Sequence, residues 1–160
     1  MSHQISAGFT LIELLIVIAI LGILAAAVLI AVNPGKRQNQ AKDANIKNDI
    51  GSIATALQAY YTAPGSGSYP DVDAPDSGLQ KLVSNEDLKQ EPLHPDGTNY
   101  VYNVTPGTCA GTVLAPCTEA YLYGDLYDDS TNTLVWCWES VEGRAEAETI
   151  AQCTDFSATT

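Results

Sequence analysis

The sequence predicts an α+β chain: one long amino-terminal helix, apolar then amphipathic, packed on a small antiparallel β-sheet. Three observations carry this. Between Phe9 and Val32 every residue except Thr10, Glu13 and Gly22 is hydrophobic. From Ile46 to Tyr61 apolar residues recur every three or four positions. The distal third holds aromatic-rich runs separated by turn residues, and all four cysteines fall there. A chain of 160 residues has room for such a helix and one small globular domain, not two.

Taken in order, the first run is long enough to span a bilayer, roughly 36 Å as a helix. Its single carboxylate, Glu13, would cost about 2.5–3.5 kcal/mol or more if ionised in lipid without a partner. Cutting the chain between Gly8 and Phe9 supplies one, because the new α-amino group of Phe9 then lies one helical turn from Glu13. A neighbouring copy presents the same amine. Asn33-Pro34-Gly35 should kink or break the helix, since proline removes a backbone donor and glycine is flexible. Helical pattern resumes with Ile46, Ile50, Ile53, Leu57 and Tyr60 or Tyr61, a stripe that calls for an apolar sheet face.

Thr62-Ala63-Pro64-Gly65-Ser66-Gly67-Ser68 ends that helix. Leu79, Leu82 and Val83 at helical spacing predict one or two further turns. The chain turns at His94-Pro95-Asp96-Gly97 into a first strand, Asn99 to Val104. Ala120 to Tyr127 and Thr133 to Trp138 then flank a polar turn and predict a hairpin. At least three strands follow from this, with loop or short helix from Trp138 to Cys153.

Gly8-Phe9-Thr10-Leu11-Ile12-Glu13, a short leader ending in glycine ahead of a long apolar helix, resembles the class III prepilin signal of the type IV pilin superfamily. That superfamily includes type IV pilins and the pseudopilins of type II secretion. The resemblance implies a pilin-like fold and four segments: a leader over 1–8, a transmembrane and assembly helix over 9–32, its amphipathic continuation over 33–62, and a disulfide-bounded sheet domain over 63–160. It implies cleavage after Gly8, N-methylation of Phe9 by a prepilin peptidase and methyltransferase, and a filament role for Glu13. It also implies partners: other copies of the chain in a helical homopolymer, and an inner-membrane assembly platform with its ATPase. The precursor would sit in the inner membrane and the product in a cell-surface or periplasmic filament. Gly78-Leu79-Gln80 and Tyr100-Val101-Tyr102 are similar to segments of major pseudopilins. Two rivals remain open, a major pseudopilin and a single-pass anchored binding domain that never polymerises.

Lys36, Arg37, Lys42 and Lys47 follow the apolar run, so a positive-inside reading puts the carboxyl-terminal side in the cytoplasm. The resemblance puts it outside, and the cysteines agree. Cys109, Cys117, Cys137 and Cys153 show no C-x-x-C spacing and only His94 lies beyond the leader as a histidine, which disfavours zinc. A disulfide framework in an oxidising compartment fits better. Of three possible pairings the favoured one is Cys109–Cys117 within a loop and Cys137–Cys153 tying the tail to the sheet. The second pair resembles the disulfide-bounded terminal region of many type IV pilins, a feature that major pseudopilins often lack.

With a net charge of −12 and only Lys81, Lys89 and Arg144 as bases past Lys47, no nucleic-acid partner is expected. No glycine-rich phosphate loop, nucleophile elbow or carboxylate pair in a catalytic context occurs, so no enzyme and no required cofactor are expected. Two acidic clusters are candidate calcium loops: Asp71, Asp73 and Asp76, and the better one, Asp125, Asp128 and Asp129.

Overall fold

A computed structural model describes residues 8–63, 66–72, 78–129, 131 and 133–154. The elements run α1 (Leu11–Val32), α2 (Pro34–Thr62), α3 (Leu79–Ser84), β1 (Val101–Thr105), β2 (Glu119–Asp125), β3 (Leu134–Glu139), β4 (Arg144–Thr149) and α4 (Ile150–Cys153). The chain divides into two compact units at Gln38–Asn39, inside α2.

The first unit contains α1, whose apolar residues point in every direction. None of its 22 residues is buried within the chain. It ends where Asn33 takes a left-handed conformation (φ 44°), and Pro34 opens α2 at the position where a missing N–H costs least.

In the second unit the α2 stripe is buried as its spacing requires: Ile46, Ile50, Ile53 and Leu57 are fully excluded from solvent. Tyr60 and Tyr61 flank the same core. The stripe packs on a four-stranded antiparallel sheet of order β1-β2-β3-β4. Register places Tyr102, Leu122, Trp138 and Ala145 side by side across the four strands on this inner face. The opposite face carries Tyr121, Tyr123, Val135 and Cys137 around Cys153 of α4. Alternation along each strand, inward then outward, makes both faces possible.

β4 extends the three strands read from the sequence. Arg144-Ala145-Glu146-Ala147-Glu148-Thr149 has the composition of a helix, because alanine and glutamate disfavour strands. Pairing with β3 overrides that preference. A period-two alternation of small and charged residues was the signal for it: Ala145 opposes Trp138 and Ala147 opposes Trp136, small against large.

Gly124 on β2 lets the Tyr100 ring lie flat against the strand, since an added Cβ would stand 2.8 Å from two ring carbons. The Tyr100 hydroxyl donates to Asp49 on α2 at 2.8 Å, so helix and sheet share this contact. We expect Gly124→Ala to lower stability by about 1–3 kcal/mol through overpacking. Gly51→Ala, at an exposed helical position with open space around it, should instead raise stability by about 0.5–1 kcal/mol. Thermal unfolding of the detergent-solubilised chain checks both signs.

Candidate functional site

Gly8, Phe9 and Thr10 precede the first turn of α1 and are exposed, so the Gly8–Phe9 bond lies in backbone free of helical hydrogen bonds. Phe9 is 77% exposed, and nothing lies within 4 Å of a Cβ built on Gly8. A peptidase needs this accessibility.

Thr10 is the N-cap of α1 and Glu13 its third residue, and together they close a capping box. The Glu13 N–H donates to Thr10 Oγ1 at 3.3 Å. In return Glu13 Oε2 accepts from the Thr10 N–H at 3.0 Å and from its hydroxyl at 2.7 Å. Threonine followed three residues later by glutamate is a sequence signature of this arrangement. Glu13 thus has a local structural role, closing the first turn of α1. The macrodipole of α1 favours a carboxylate here as well.

The distal loops are organised by α2. Asp43 lies on the same helical face as Ile46 and Ile50 and is buried, which charge alone would forbid. Its two oxygens accept the backbone N–H groups of Tyr127 and Asp128 at 2.7 and 3.0 Å. Asn39 donates to the Tyr127 carbonyl at 3.0 Å, and Gln40 to the Asp128 carboxylate at 3.2 Å. Lys42 stands 4.2 Å over the Tyr127 ring and Lys47 4.5 Å over that of Trp136. His94, also buried, directs Nε2 to the Asp125 carbonyl at 2.9 Å and places Nδ1 2.9 Å from Asp96. The Thr98 hydroxyl and N–H, joined by His94, hold the Asp96 carboxyl well below the usual range.

In the candidate calcium loop, Asp128 thus accepts from Gln40 and Asp125 engages His94 through its backbone carbonyl. Asp129 caps its own turn, accepting from the N–H groups of Thr131, Thr133 and Leu134 at 3.0, 2.6 and 2.9 Å. These bonds, with that of the Thr131 hydroxyl, hold its carboxyl far below the usual range. Among the described residues, the one group of three potential metal ligands within 4.8 Å is Cys137, Glu139 and Glu148. The Cys137 sulfur is joined to Cys153 in a disulfide, so it is no ligand. Of the other acidic cluster, Asp73 and Asp76 lie outside the described residues.

The second disulfide joins Cys109 to Cys117, eight residues apart, in the β1–β2 connection. Cys137–Cys153 crosses from β3 to α4 and closes a separation of 16 residues. In the chain-entropy account a loop of this length contributes about 3 kcal/mol.

Comparison with known proteins connects this geometry to a family. Residues 4–29 match the prokaryotic N-terminal methylation motif. Type II secretion system core protein G of Pseudomonas aeruginosa is 40% identical over 116 residues, covering 68% of this chain and 80% of that protein. The chain belongs to the type IV pilin superfamily. Fimbrial protein EcpC of Eikenella corrodens is 36% identical over 105 residues, 66% of this chain and 65% of that protein. Core protein G of Pectobacterium carotovorum is 32% identical over 94 residues, 59% of this chain and 56% of that protein. No solved structure matches significantly. As a member of the superfamily the chain is a pilin-like structural subunit, with Gly8, Phe9 and Glu13 inside the matched amino-terminal motif.

The outer sheet face of this pilin-like subunit carries an electrostatic liability. Burial pushes the Glu139 and Glu148 carboxyls upward, and neighbouring carboxylates, Glu142 and Glu146 among them, add to it. A raised native value means that the folded chain binds more protons than the unfolded one above the ordinary glutamate range. Stability from these groups is then greatest in mild acid and falls as pH rises through that window. Glu148→Gln should raise the melting temperature at pH 7 and change it little near pH 4. Reducing Cys137–Cys153 should lower stability by about 3 kcal/mol at either pH.

Proposed function

We propose that this chain is the repeating structural subunit of a type IV pilus filament, cleaved after Gly8 and N-methylated at Phe9. The observation that carries the reading is α1 itself: 22 residues, aliphatic throughout except for Glu13 and Gly22, none buried in the chain. A helix of that kind is covered first by a membrane and later by the helices of other copies. In the second setting Glu13 faces the Phe9 amine of a neighbour, which compensates a charge that low dielectric would otherwise penalise. Processing then requires a prepilin peptidase and methyltransferase, and assembly a membrane platform with its ATPase. The role is structural, with no catalysis assigned to the chain and no cofactor required.

A fimbrial relative and two disulfides in the sheet domain favour a filament exposed to an oxidising exterior. The longer match to core protein G favours a second reading, the major pseudopilin of a type II secretion system. Long filaments in sheared cell-surface material separate the first from the second.

Three variants separate the two roles of Glu13. Glu13→Gln keeps a side chain that can close the capping box but removes the charge. Thr10→Ala keeps the charge and loses the cap, at about 0.5–2 kcal/mol of helix stability. Glu13→Ala loses both. All three should be membrane-bound and processed. Filament yield should fall at least about tenfold for Glu13→Gln and Glu13→Ala, the factor that 1.4 kcal/mol per contact represents, and persist for Thr10→Ala. Undiminished assembly of Glu13→Gln would reduce Glu13 to a helix cap.

A further inference from the structure

Charge is divided unevenly along this chain. Between Glu13 and Asp43 no acidic residue occurs, and the charged residues of that interval are Lys36, Arg37 and Lys42. The acids that give the chain its net charge of −12 come afterwards. Lys36 and Arg37 follow closely on Val32, the last residue of α1, and both are exposed. Four residues of helix rise about 6 Å. The headgroup layer of a bilayer extends about 5–8 Å beyond the hydrocarbon core on each side. A span that ends at Val32 therefore delivers these two bases to the headgroups, and their long stems let the charged ends reach phosphate.

The charges that come next along α2 are already engaged. Lys42 stands 4.2 Å over the Tyr127 ring and Lys47 4.5 Å over that of Trp136. Asp43, the first acid after the span, is buried and gives its two oxygens to the backbone N–H groups of Tyr127 and Asp128. Residues 38–42 supply no carboxylate. Bases just past a span are usually kept to the cytoplasmic side. Here they follow α1 together with Cys109–Cys117 and Cys137–Cys153, which mark an oxidising compartment. The positive-inside bias thus does not account for them.

We propose that Lys36 and Arg37 form a collar that binds the phosphates of anionic phospholipids in the extracytoplasmic leaflet, fixing the depth of the membrane-held subunit. This inference rests on the reading of α1 as a membrane-spanning helix and names the lipid chemistry at its end. Anionic lipid is the occupant that charge complementarity selects. An anionic surface repels the acidic remainder of the chain, but only charges within about 10 Å of the surface act on it strongly. The two bases next in sequence to the span are held within that range.

The test places the full-length chain in nanodiscs made of equal parts phosphatidylglycerol and phosphatidylcholine, and identifies the lipids it retains by native mass spectrometry. The wild type should retain phosphatidylglycerol in preference to phosphatidylcholine. Lys36→Gln combined with Arg37→Gln should cut that preference at least about tenfold, the combined scale of two bases beside an anionic surface. Both residues are exposed, so the double variant should fold and insert like the wild type. Lys81→Gln combined with Lys89→Gln makes the same change of charge in the sheet domain and should leave the preference intact. A wild type without preference would overturn the collar, as would a double variant that keeps it or an equal loss in the Lys81 and Lys89 control. Failure of the wild-type chain to stay in a bilayer of either lipid would instead remove the membrane reading of α1 on which the collar rests.

Discussion

Everything about this chain depends on a helix that it cannot bury. α1 presents leucine, isoleucine, valine and alanine on all sides, and no described residue of the chain covers any of it. Fully burying one such aliphatic side chain is worth about 1.5–3 kcal/mol, so the sum over α1 far exceeds the marginal stability of a small domain. The cover has to come from outside the chain. A bilayer supplies it for a precursor, and parallel copies of the same helix supply it in a polymer. Glu13 fits both settings only because it has company: Thr10 in its own chain, and in the proposed filament an amine from the next.

The second unit solves a different problem, how a small acidic domain keeps its loops in place. α2 does most of this by lining one sheet face with Ile46, Ile50, Ile53 and Leu57. One turn before that stripe, Asp43 reaches the loop after β2 and takes up two backbone N–H groups there. Within their own turns Asp129 accepts three backbone N–H groups and Asp96 one. Asp129, one member of a candidate cation cluster, is therefore committed to backbone donors, as short-chain acids in turns commonly are. The disulfides restrain the remaining ends, one at the β1–β2 loop and one at the tail.

Much of this is legible in the sequence, for identifiable reasons. The α2 stripe is visible because four aliphatic residues keep strict helical spacing, and α1 is visible because only Glu13 and Gly22 interrupt its aliphatic run. β2 and β3 declare themselves through tyrosine, tryptophan and valine. β4 does not, because an Ala-Glu alternation carries strand information only through its period, and its local preference is helical. Asp43 is hidden for a related reason: an aspartate in a helix reads as a surface residue unless its place on the stripe is noticed. The Thr10–Glu13 capping box is written in the sequence but is overshadowed there by the filament role that the resemblance implies for the same carboxylate. Cysteine arithmetic leaves three pairings open, and only the meeting of β3 with α4 brings Cys137 to Cys153.

The most direct measurement is the intact mass and amino-terminal sequence of the chain recovered from sheared surface filaments. The account predicts a chain beginning at N-methyl-Phe9, with its mass lowered by the hydrogens of two disulfides. A chain that retains Met1 and is found only in membranes would contradict it, leaving an anchored domain and no polymer.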